Sequence, residues 1–194
     1  MASGPLALLQ QVVEVLDRLG LAYALGGSMA SSFVGEPRTT VDVDIAVAVD
    51  QAAAEEVLSA LGADLYVPME AARLAIRERS SFNLIDPASA IKVDVFVLGD
   101  ELLDRMQLQR RVRLRLPGVG PEIWVSSAED QVLRKLDWFR QGGGISDRQW
   151  RDILGILRVQ GSNLDAGYLE QTAVVVGLDH LLQLAQHQVR EAER

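Results

Sequence analysis

The run Thr40-Val41-Asp42-Val43-Asp44-Ile45 alternates acidic with branched apolar residues. In a strand, residues two apart leave the same face with Cα atoms roughly 6.6 Å apart, so both carboxylates would point to one side. Aspartate is depleted in strands. The pair therefore indicates a strand that carries a polar site, although the solvated face of a half-buried strand remains an alternative for the pair alone.

Two further segments extend this pattern. The glycine-rich turn Gly26-Gly27-Ser28 follows the apolar stretch 21–25, and Lys92-Val93-Asp94-Val95-Phe96 repeats the alternation and adds a third carboxylate. A glycine-rich turn followed by two aspartates and a later third one is what a two-metal phosphoryl-transfer site requires. The three segments together favour a metal-dependent site over a solvated strand face.

The chemistry of such a site explains these residue types. Three carboxylates can share one hard cation or bridge two cations about 3.5–4 Å apart, and magnesium prefers a few carboxylates together with waters and substrate phosphate oxygens. Two like charges about 4 Å apart repel by roughly 4 kcal/mol at an effective dielectric constant near 20, and divalent ions would relieve that repulsion. Gly26 and Gly27 allow the backbone to approach a phosphate closely. Ser28 and the amides that open the next predicted helix can donate hydrogen bonds to the phosphate.

Two common motifs with acidic or glycine-rich loops are excluded. An EF-hand loop starting at Asp42 would place Val47 where that motif needs glycine and Ala53 where it needs glutamate. A Walker phosphate-binding loop is excluded because no Gly-Lys-Ser or Gly-Lys-Thr sequence follows the glycines.

The ordered motifs Gly27-Ser28, Asp42-x-Asp44 and Asp94 resemble the signature of the polymerase-β-like nucleotidyltransferase superfamily. Within that superfamily, the segments 25–30 and 37–44 are similar to the bacterial abortive-infection nucleotidyltransferase toxins and their uncharacterised relatives. The likeness continues in two helical patterns, 127–136 and 146–154, and spans roughly residues 20 to 160. The first block is the more specific part of the resemblance.

The resemblance implies an α/β nucleotidyltransferase fold, in which a mixed central sheet flanked by helices is followed by a C-terminal helical region. It also implies a nucleoside triphosphate (NTP) donor and Mg²⁺, with two ions expected by analogy with two-metal sites. Carried over by position, Asp42 and Asp44 are metal ligands. Asp94 is the third carboxylate, acting as a ligand or as the base for the incoming hydroxyl. The nucleotide-binding residues expected from this block are Gly26, Gly27, Ser28, Arg38 and Thr40.

Three charged residues outside the aspartate cluster have two interpretations each. Arg38 follows Pro37 in the loop before the strand that carries Asp42 and Asp44. Its guanidinium could donate two hydrogen bonds to phosphate oxygens, or it could pair with Glu36. Lys135 is expected to be catalytic and to reach a triphosphate across a cleft, with a solvated helix lysine as the alternative. Asp152 occupies a place where the toxins carry a functional residue, but it could also pair with charged neighbours on the surface.

Composition limits the class of protein. The 194 residues carry a net charge of −8, and no run of lysine and arginine forms a nucleic-acid arm, which argues against DNA binding. The chain has no cysteine and no apolar run of membrane-spanning length, so we expect a cytoplasmic protein with no membrane partner. An RNA acceptor would need a local basic patch. Its candidates are Arg73, Arg77, Arg79, Arg110, Arg111, Arg113 and Arg115. The alternation of the last three is equally explained by the solvated face of a strand.

Hydrophobic periodicity and turn residues predict alternating helices and strands, followed by helices alone. Predicted strands lie at 22–25, 41–49, 65–67, 82–85, 91–98, 111–116 and 122–125, and predicted helices at 5–19, 28–34, 52–61, 70–78, 101–109, 128–140, 147–159, 166–176 and 178–192. The strands at 111–116 and 122–125 are expected to pair as a hairpin across Pro117-Gly118-Val119-Gly120. Ser127 and Ser146 have the pattern of helix N-caps. The change in composition near residue 127 predicts a catalytic domain at 1–126 and a helical region at 127–194. The aromatic residues of that region, Trp138, Phe139 and Trp150, are expected to pack between helices rather than to stack on bases.

The sequence thus predicts a magnesium-dependent nucleotidyltransferase that transfers a nucleoside monophosphate from an NTP to a hydroxyl. The acceptor expected from the toxin resemblance is RNA, with an antitoxin protein as a further partner. A small molecule such as an antibiotic is the alternative acceptor. A non-catalytic nucleotide-binding module is the alternative of a different class.

Overall fold

The protein is described by a computed structural model that covers residues 4–116, 118–192 and 194. Within these residues, six strands form one mixed sheet in the order β3-β4-β2-β1-β6-β5. The strands are β1 (Tyr23–Leu25), β2 (Val43–Val47), β3 (Ser81–Ile85), β4 (Lys92–Val97), β5 (Val112–Leu114) and β6 (Ile123–Val125). β2 runs parallel to β4 and antiparallel to β1, which runs parallel to β6.

Helices flank the sheet and then continue alone to the C-terminal end. The helices of the first part are α1 (Pro5–Arg18), α2 (Gly27–Val34), α3 (Ala54–Leu61), α4 (Met69–Glu78) and α5 (Leu102–Gln109). Those of the second part are α6 (Ala128–Gln141), α7 (Asp147–Gln160), α8 (Ala166–Val175) and α9 (Asp179–Ala192), with a 3₁₀ turn at Gly161–Asn163. This is the predicted fold class. No helix of the described chain is both long and apolar enough to span a membrane.

The core consists of two hydrophobic clusters. One lies between the sheet and the helices of the first part and is formed by branched apolar residues of alternating strand positions, such as Val43, Ile45, Val93 and Val95. The other lies among α6, α7, α8 and α9 and also takes in residues from the first part of the chain, Val34 and Leu103. The helical region is therefore packed onto the sheet-containing part through α2 and α5.

Most predicted strands differ from the observed ones by a residue or two at their ends, and two of the differences have a local cause. β2 begins at Val43 rather than at 41, because the backbone N–H of Asp42 donates to Thr40 Oγ1 at 3.2 Å in a local turn. The edge strand predicted at 65–67 is wrong. Only Tyr66 makes a bridge, to Ile85, and α4 begins directly after Pro68, a residue that cannot donate to a strand ladder.

The predicted hairpin and helix caps are confirmed. β5 and β6 pair antiparallel, with Arg113 opposite Trp124, while Pro117 of the predicted turn lies outside the described residues. The hydroxyls of Ser127 and Ser146 accept from the backbone N–H three residues later, at 3.1 and 3.4 Å. These caps fix where α6 and α7 begin, and so which of their side chains face the sheet.

Candidate active site

The carboxylates expected to bind metal lie side by side on the sheet. The parallel register of β2 and β4 pairs Asp44 with Asp94. Since neighbouring strands lie about 4.8 Å apart and paired residues share a face, both side chains project to the same side. Both line a cavity of about 470 Å³, which Asp42 also lines from the turn before β2.

The glycine turn fits closely against Asp44. The backbone N–H of Gly26 donates to the Asp44 carbonyl at 2.8 Å, and α2 begins at Gly27 with φ +58°. A Cβ at Gly27 would lie 1.8 Å from Asp44 Oδ2. Glycine is required at this position both by its backbone conformation and by the approach of a carboxylate.

Two guanidinium groups converge on the Ser28 hydroxyl. Arg38 Nη2 donates to Ser28 Oγ, and Arg148 Nη2 donates to it at 2.8 Å. Arg148 Nη2 also contacts Asp42 Oδ2 at 3.0 Å. Because Ser28 is the second residue of α2, the partial positive charge of the helix N-terminus adds to these two cations. The result is an electropositive region next to the aspartates.

Lys135 belongs to a buried ion-pair network. Its Nζ donates to Asp152 Oδ2 at 2.8 Å and to Gln149 Oε1 at 3.0 Å, and its side chain is 1 % exposed. Arg38 holds the same carboxylate by two hydrogen bonds, of 2.9 and 3.2 Å. The solvated lysine and the surface pairing of Asp152 are therefore wrong, because α6 and α7 pack face to face and bury both groups. Arg38 pairs with Asp152 rather than with Glu36.

Burial and charge act in opposite directions within this network. Burial lowers the pKa of Lys135, while the hydrogen bond and the charge of Asp152 oppose that shift. Burial would raise the pKa of Asp152, but the hydrogen bonds from Arg38 and Lys135 hold it below its ordinary value. The network thus keeps a carboxylate charged between two cations inside the protein.

The aspartates are also balanced by cations. Burial raises the pKa of Asp44, and the nearby carboxylates of Asp94 and Asp42 raise it further. Lys92 Nζ contacts both carboxylate oxygens of Asp94, at 2.9 and 2.8 Å. The two aspartates beside Asp44 therefore each make an ion pair, Asp42 with Arg148 and Asp94 with Lys92.

A second and larger cavity adjoins this one. It has a volume of about 520 Å³ and shares Gly27, Asp44, Phe96 and Trp138 with the smaller cavity. The shared residues form the boundary between the two. Asp44, the carboxylate among them, thus lines both cavities.

Comparison with known proteins agrees with this geometry. Residues 8–193 match the family described as nucleotidyl transferase AbiEii toxin, type IV toxin–antitoxin system. The chain belongs to the AbiEii family. It is therefore a nucleotidyltransferase, and the expected polymerase-β-like superfamily and enzyme class are confirmed. No curated protein gives a significant match.

Solved structures share the AbiEii-like fold of this chain at low identity. An antigenic nucleotidyltransferase-like protein from Paracoccidioides brasiliensis is 19% identical, with a TM-score of 0.54 over 96% of this chain and 93% of that one. The antibiotic-resistance factor ANT(2'')-Ia is 12% identical, with a TM-score of 0.52 over 97% of this chain and 96% of that one. At these identities the likeness concerns the fold.

The predicted site residues of this AbiEii-family chain occupy different places. Gly27, Ser28, Asp42, Asp44, Asp94 and Lys135 all line the smaller cavity. Gly26 lines the larger one. Arg38 reaches the site through Ser28 and Asp152. Thr40 accepts a hydrogen bond from the backbone of Asp42, so its contact is with the turn that positions this aspartate.

The predicted magnesium site offers suitable donor atoms, but two of its carboxylates are engaged in ion pairs. The carboxylates of Asp42, Asp44 and Asp94 are hard oxygen donors that line one cavity, which suits magnesium. Among the described residues, no three acidic or histidine side chains are grouped so as to hold one ion as they stand. Lys92 and Arg148 instead make ion pairs with two of the three. The donor chemistry therefore fits magnesium when Lys92 and Arg148 pair with another anion, which frees Asp94 and Asp42 for the metal.

Sequence reasoning missed several residues that line the smaller cavity, among them Lys92, Arg148 and Gln149. Lys92 lies two residues before Asp94 on the same strand, so the alternation that singled out Asp94 also placed Lys92 on its face. Arg148 lies four residues before Asp152 on α7, and this helical spacing could have joined it to the site. Gln149 carried no signal, since a glutamine after a helix start is common.

Proposed function

We propose that this AbiEii-family protein transfers a nucleoside monophosphate from an NTP to a hydroxyl acceptor with the aid of Mg²⁺. The acceptor oxygen attacks the α-phosphorus, the bond between the α- and β-phosphates breaks, and pyrophosphate leaves. One observation supports this most strongly. The cations Arg148 and Lys135 and the N-terminus of α2 line the same cavity as Asp42, Asp44 and Asp94. A polyphosphate needs the cations, and its transfer needs the carboxylates.

In this proposal the chain's own residues bind and orient the donor. Ser28 and the first amides of α2 donate to phosphate oxygens. Arg148 and Arg38, which meet at Ser28, supply forked donors that suit phosphate. Lys135 adds a point charge that the buried Asp152 holds in place. Holding both substrates in line would supply much of the rate acceleration.

We assign Asp42, Asp44 and Asp94 as the residues that would hold Mg²⁺. The bound metal would activate the acceptor hydroxyl and neutralise phosphate charge. Lys92 and Arg148 would then exchange their aspartate partners for phosphate oxygens, which keeps every charge paired. Asp94 has a second role in this proposal, as the group that accepts the proton of the hydroxyl.

RNA is the acceptor that the toxin description of the family supports. The basic residues expected to bind it are spread over several elements. Arg73 is paired with Glu55 and Glu70, and the guanidiniums of Arg111 and Arg113 lie over the Trp124 ring. An RNA acceptor would therefore contact the exposed β5 edge, where these two arginines lie over an aromatic ring of the neighbouring strand β6.

A small cationic alcohol is the second candidate acceptor, and the charge of the larger cavity favours it. The cavity is lined by the carboxylates of Asp44, Glu78, Asp100, Glu101 and Asp104 against the two guanidiniums of Arg79 and Arg134. Arg134 is already paired with Asp104. ANT(2'')-Ia, which shares the fold, has been solved with adenylyl-2''-tobramycin.

Three further assignments complete the proposal. The protein acts in the cytoplasm as the toxin of a toxin–antitoxin pair, with an antitoxin protein as partner, in keeping with its family. It does not act on DNA, in keeping with its net charge of −8. Its catalytic domain comprises residues 1–126 and its helical region residues 127–194, a division supported by the two hydrophobic clusters.

A transfer assay tests the proposed function. Each α-³²P-labelled NTP is incubated with Mg²⁺ and total RNA, cell extract or an aminoglycoside, using wild type and Asp42→Ala/Asp44→Ala. We expect label to enter one acceptor with wild type only and to be abolished by EDTA. Equal labelling by the double variant would remove both aspartates from the mechanism. Nucleotide binding without transfer to any acceptor would favour a non-catalytic module.

A further inference from the structure

Side chains of α6 and β4 line the smaller cavity in two adjacent layers, one charged and one aromatic. Lys135 on α6 and Asp94 on β4 belong to the charged layer. Three residues further along α6 lies Trp138, and two residues further along β4 lies Phe96. These spacings keep each pair on one face of its element. An aromatic layer therefore lies next to the charged one.

The two aromatic rings form a wall that ligands can reach. The ring centroids of Phe96 and Trp138 are 5.7 Å apart, with an interplanar angle of 35°. Both residues are part exposed, and both line the smaller and the larger cavity. Trp150, by contrast, contacts Phe139, with ring centroids 5.0 Å apart and an interplanar angle of 37°. It also packs against the second hydrophobic cluster. The expectation of helix packing thus holds for Trp150, while Trp138 faces the site.

The order of the layers matches the order of groups in a nucleotide. A step of two strand residues covers roughly 6.6 Å and three helix residues roughly 4.5 Å. Phosphates held in the charged layer would therefore place the sugar and base of the same molecule beside the aromatic layer. A cavity of about 470 Å³ is within the usual range for a ligand of this size.

We infer that Trp138 and Phe96 form the nucleoside-binding wall of the donor site, with the base stacking on the Trp138 indole. This inference rests on the proposed function, since it requires an NTP in the smaller cavity. Stacking on an aromatic face is tolerant of base identity, because every base has a π-face. The wall therefore binds purine and pyrimidine nucleotides alike, and Trp138 contributes to affinity more than to base choice.

Binding measurements with two probes test this assignment without any acceptor. Calorimetry compares ATP with inorganic tripolyphosphate, both with Mg²⁺, on wild type, Trp138→Ala and Trp138→Phe. We expect Trp138→Ala to weaken ATP binding about 10-fold to 100-fold and tripolyphosphate binding less than about 2-fold. Trp138→Phe, which keeps an aromatic face, should retain most of the affinity. Trp124→Phe, on β6, is the matched control, because Trp124 lines neither cavity, and it should bind both probes as wild type does.

A fluorescence measurement adds a direct signature. In Trp124→Phe/Trp150→Phe, Trp138 is the single remaining tryptophan, and stacking should quench its emission with ATP but not with tripolyphosphate. Unchanged ATP affinity in Trp138→Ala would overturn the inference, as would equal weakening of both probes in a variant that keeps the wild-type unfolding temperature. Failure of wild type to bind either probe would instead overturn the proposed function.

Discussion

At the residue scale, Gly27 is the position with the least freedom. Its backbone has φ +58°, and an added Cβ would lie 1.8 Å from Asp44 Oδ2. We expect Gly27→Ala to lower the free energy of unfolding by about 1–3 kcal/mol because of the backbone strain. Displacement of Asp44 should reduce transfer by about 100-fold. Urea unfolding and initial transfer rates measure the two effects.

Gly26→Ala is the matched control for that prediction. An added Cβ at Gly26 would have its nearest neighbour, Gln107 Nε2, at 3.6 Å, an ordinary contact, and its backbone is extended with φ −124°. This variant should keep nearly wild-type stability, because neither a clash nor backbone strain opposes the added Cβ. A Gly27→Ala protein as active as wild type would show that Asp44 does not need its observed position.

The buried pair of Lys135 and Asp152 separates stability from catalysis. Asp152→Ala leaves the fully buried Lys135 ammonium without its carboxylate, which should cost about 3–5 kcal/mol of unfolding free energy. Lys135→Met leaves Asp152 paired with Arg38, so it should cost less stability while it removes a phosphate-binding charge. Urea unfolding of both variants and binding of Mg²⁺-tripolyphosphate test these expectations.

The double variant checks the coupling. Because both residues share one network, Lys135→Met/Asp152→Ala should cost less than the sum of the single changes. Additive costs would mean that the two groups do not stabilise each other in the folded protein.

Much of the site follows from the sequence at this scale, for a physical reason. Asp42, Asp44 and Asp94 stand out because a carboxylate between branched apolar residues is costly on a strand. Arg148 and Trp138 do not stand out, since charged and aromatic residues are ordinary on an amphipathic helix. Their roles depend on the packing of α6 and α7 against the sheet, which involves residues more than 90 positions apart, such as Ser28 and Arg148.

At the scale of elements, β1 carries a titratable group in the middle of the sheet. Tyr23 is 0% exposed, and its hydroxyl donates to Asp17 of α1 at 3.3 Å. Burial, followed by the charge of Asp17, raises the pKa of Tyr23 to about 12. An unfolded tyrosine ionises near pH 10. The folded state therefore holds its proton over a range in which the unfolded state loses it.

We expect this difference to make stability depend on alkaline pH. The contribution of Tyr23 is fully present below about pH 10 and is lost as the pH rises to about 12, by roughly 3 kcal/mol in all. Tyr23→Phe has no proton to lose, so its unfolding free energy should fall less over this range. Urea unfolding of both proteins between pH 9 and 12 measures the difference. Parallel pH profiles would show that Tyr23 ionises as easily in the folded protein as in the unfolded one.

The order of helices and strands was predictable, whereas some ends were not. Long apolar periodicities predicted α1, α6, α7 and α9 to within about one residue. The apolar triplet at 65–67 does not form a strand, because the following proline ends its pairing with the neighbouring strand after one bridge. Short apolar runs do not distinguish a strand from an isolated bridge without knowledge of their neighbours.

At the scale of the whole molecule, the two parts of the chain share contacts that a boundary in composition does not reveal. Val34 and Leu103 lie before residue 127 and belong to the core cluster of the helical region. Arg38 lies before it and pairs with Asp152. The candidate active site lies at this junction, since its aspartates come from the part before residue 127 and Lys135 and Arg148 from the part after it.

We therefore expect the protein to unfold in one cooperative transition, although we propose a division at 126/127. Removal of the helical region would expose Val34 and leave Arg38 without its carboxylate, so neither part should be stable alone. Urea unfolding followed by far-ultraviolet circular dichroism, which reports all helices, should coincide with the tryptophan fluorescence of Trp124→Phe, which reports Trp138 and Trp150 on α6 and α7. Arg38→Ala should lower the midpoint of both curves together. Two separated transitions, or a folded 127–194 fragment, would show instead that the helical region is an independent domain docked onto the sheet.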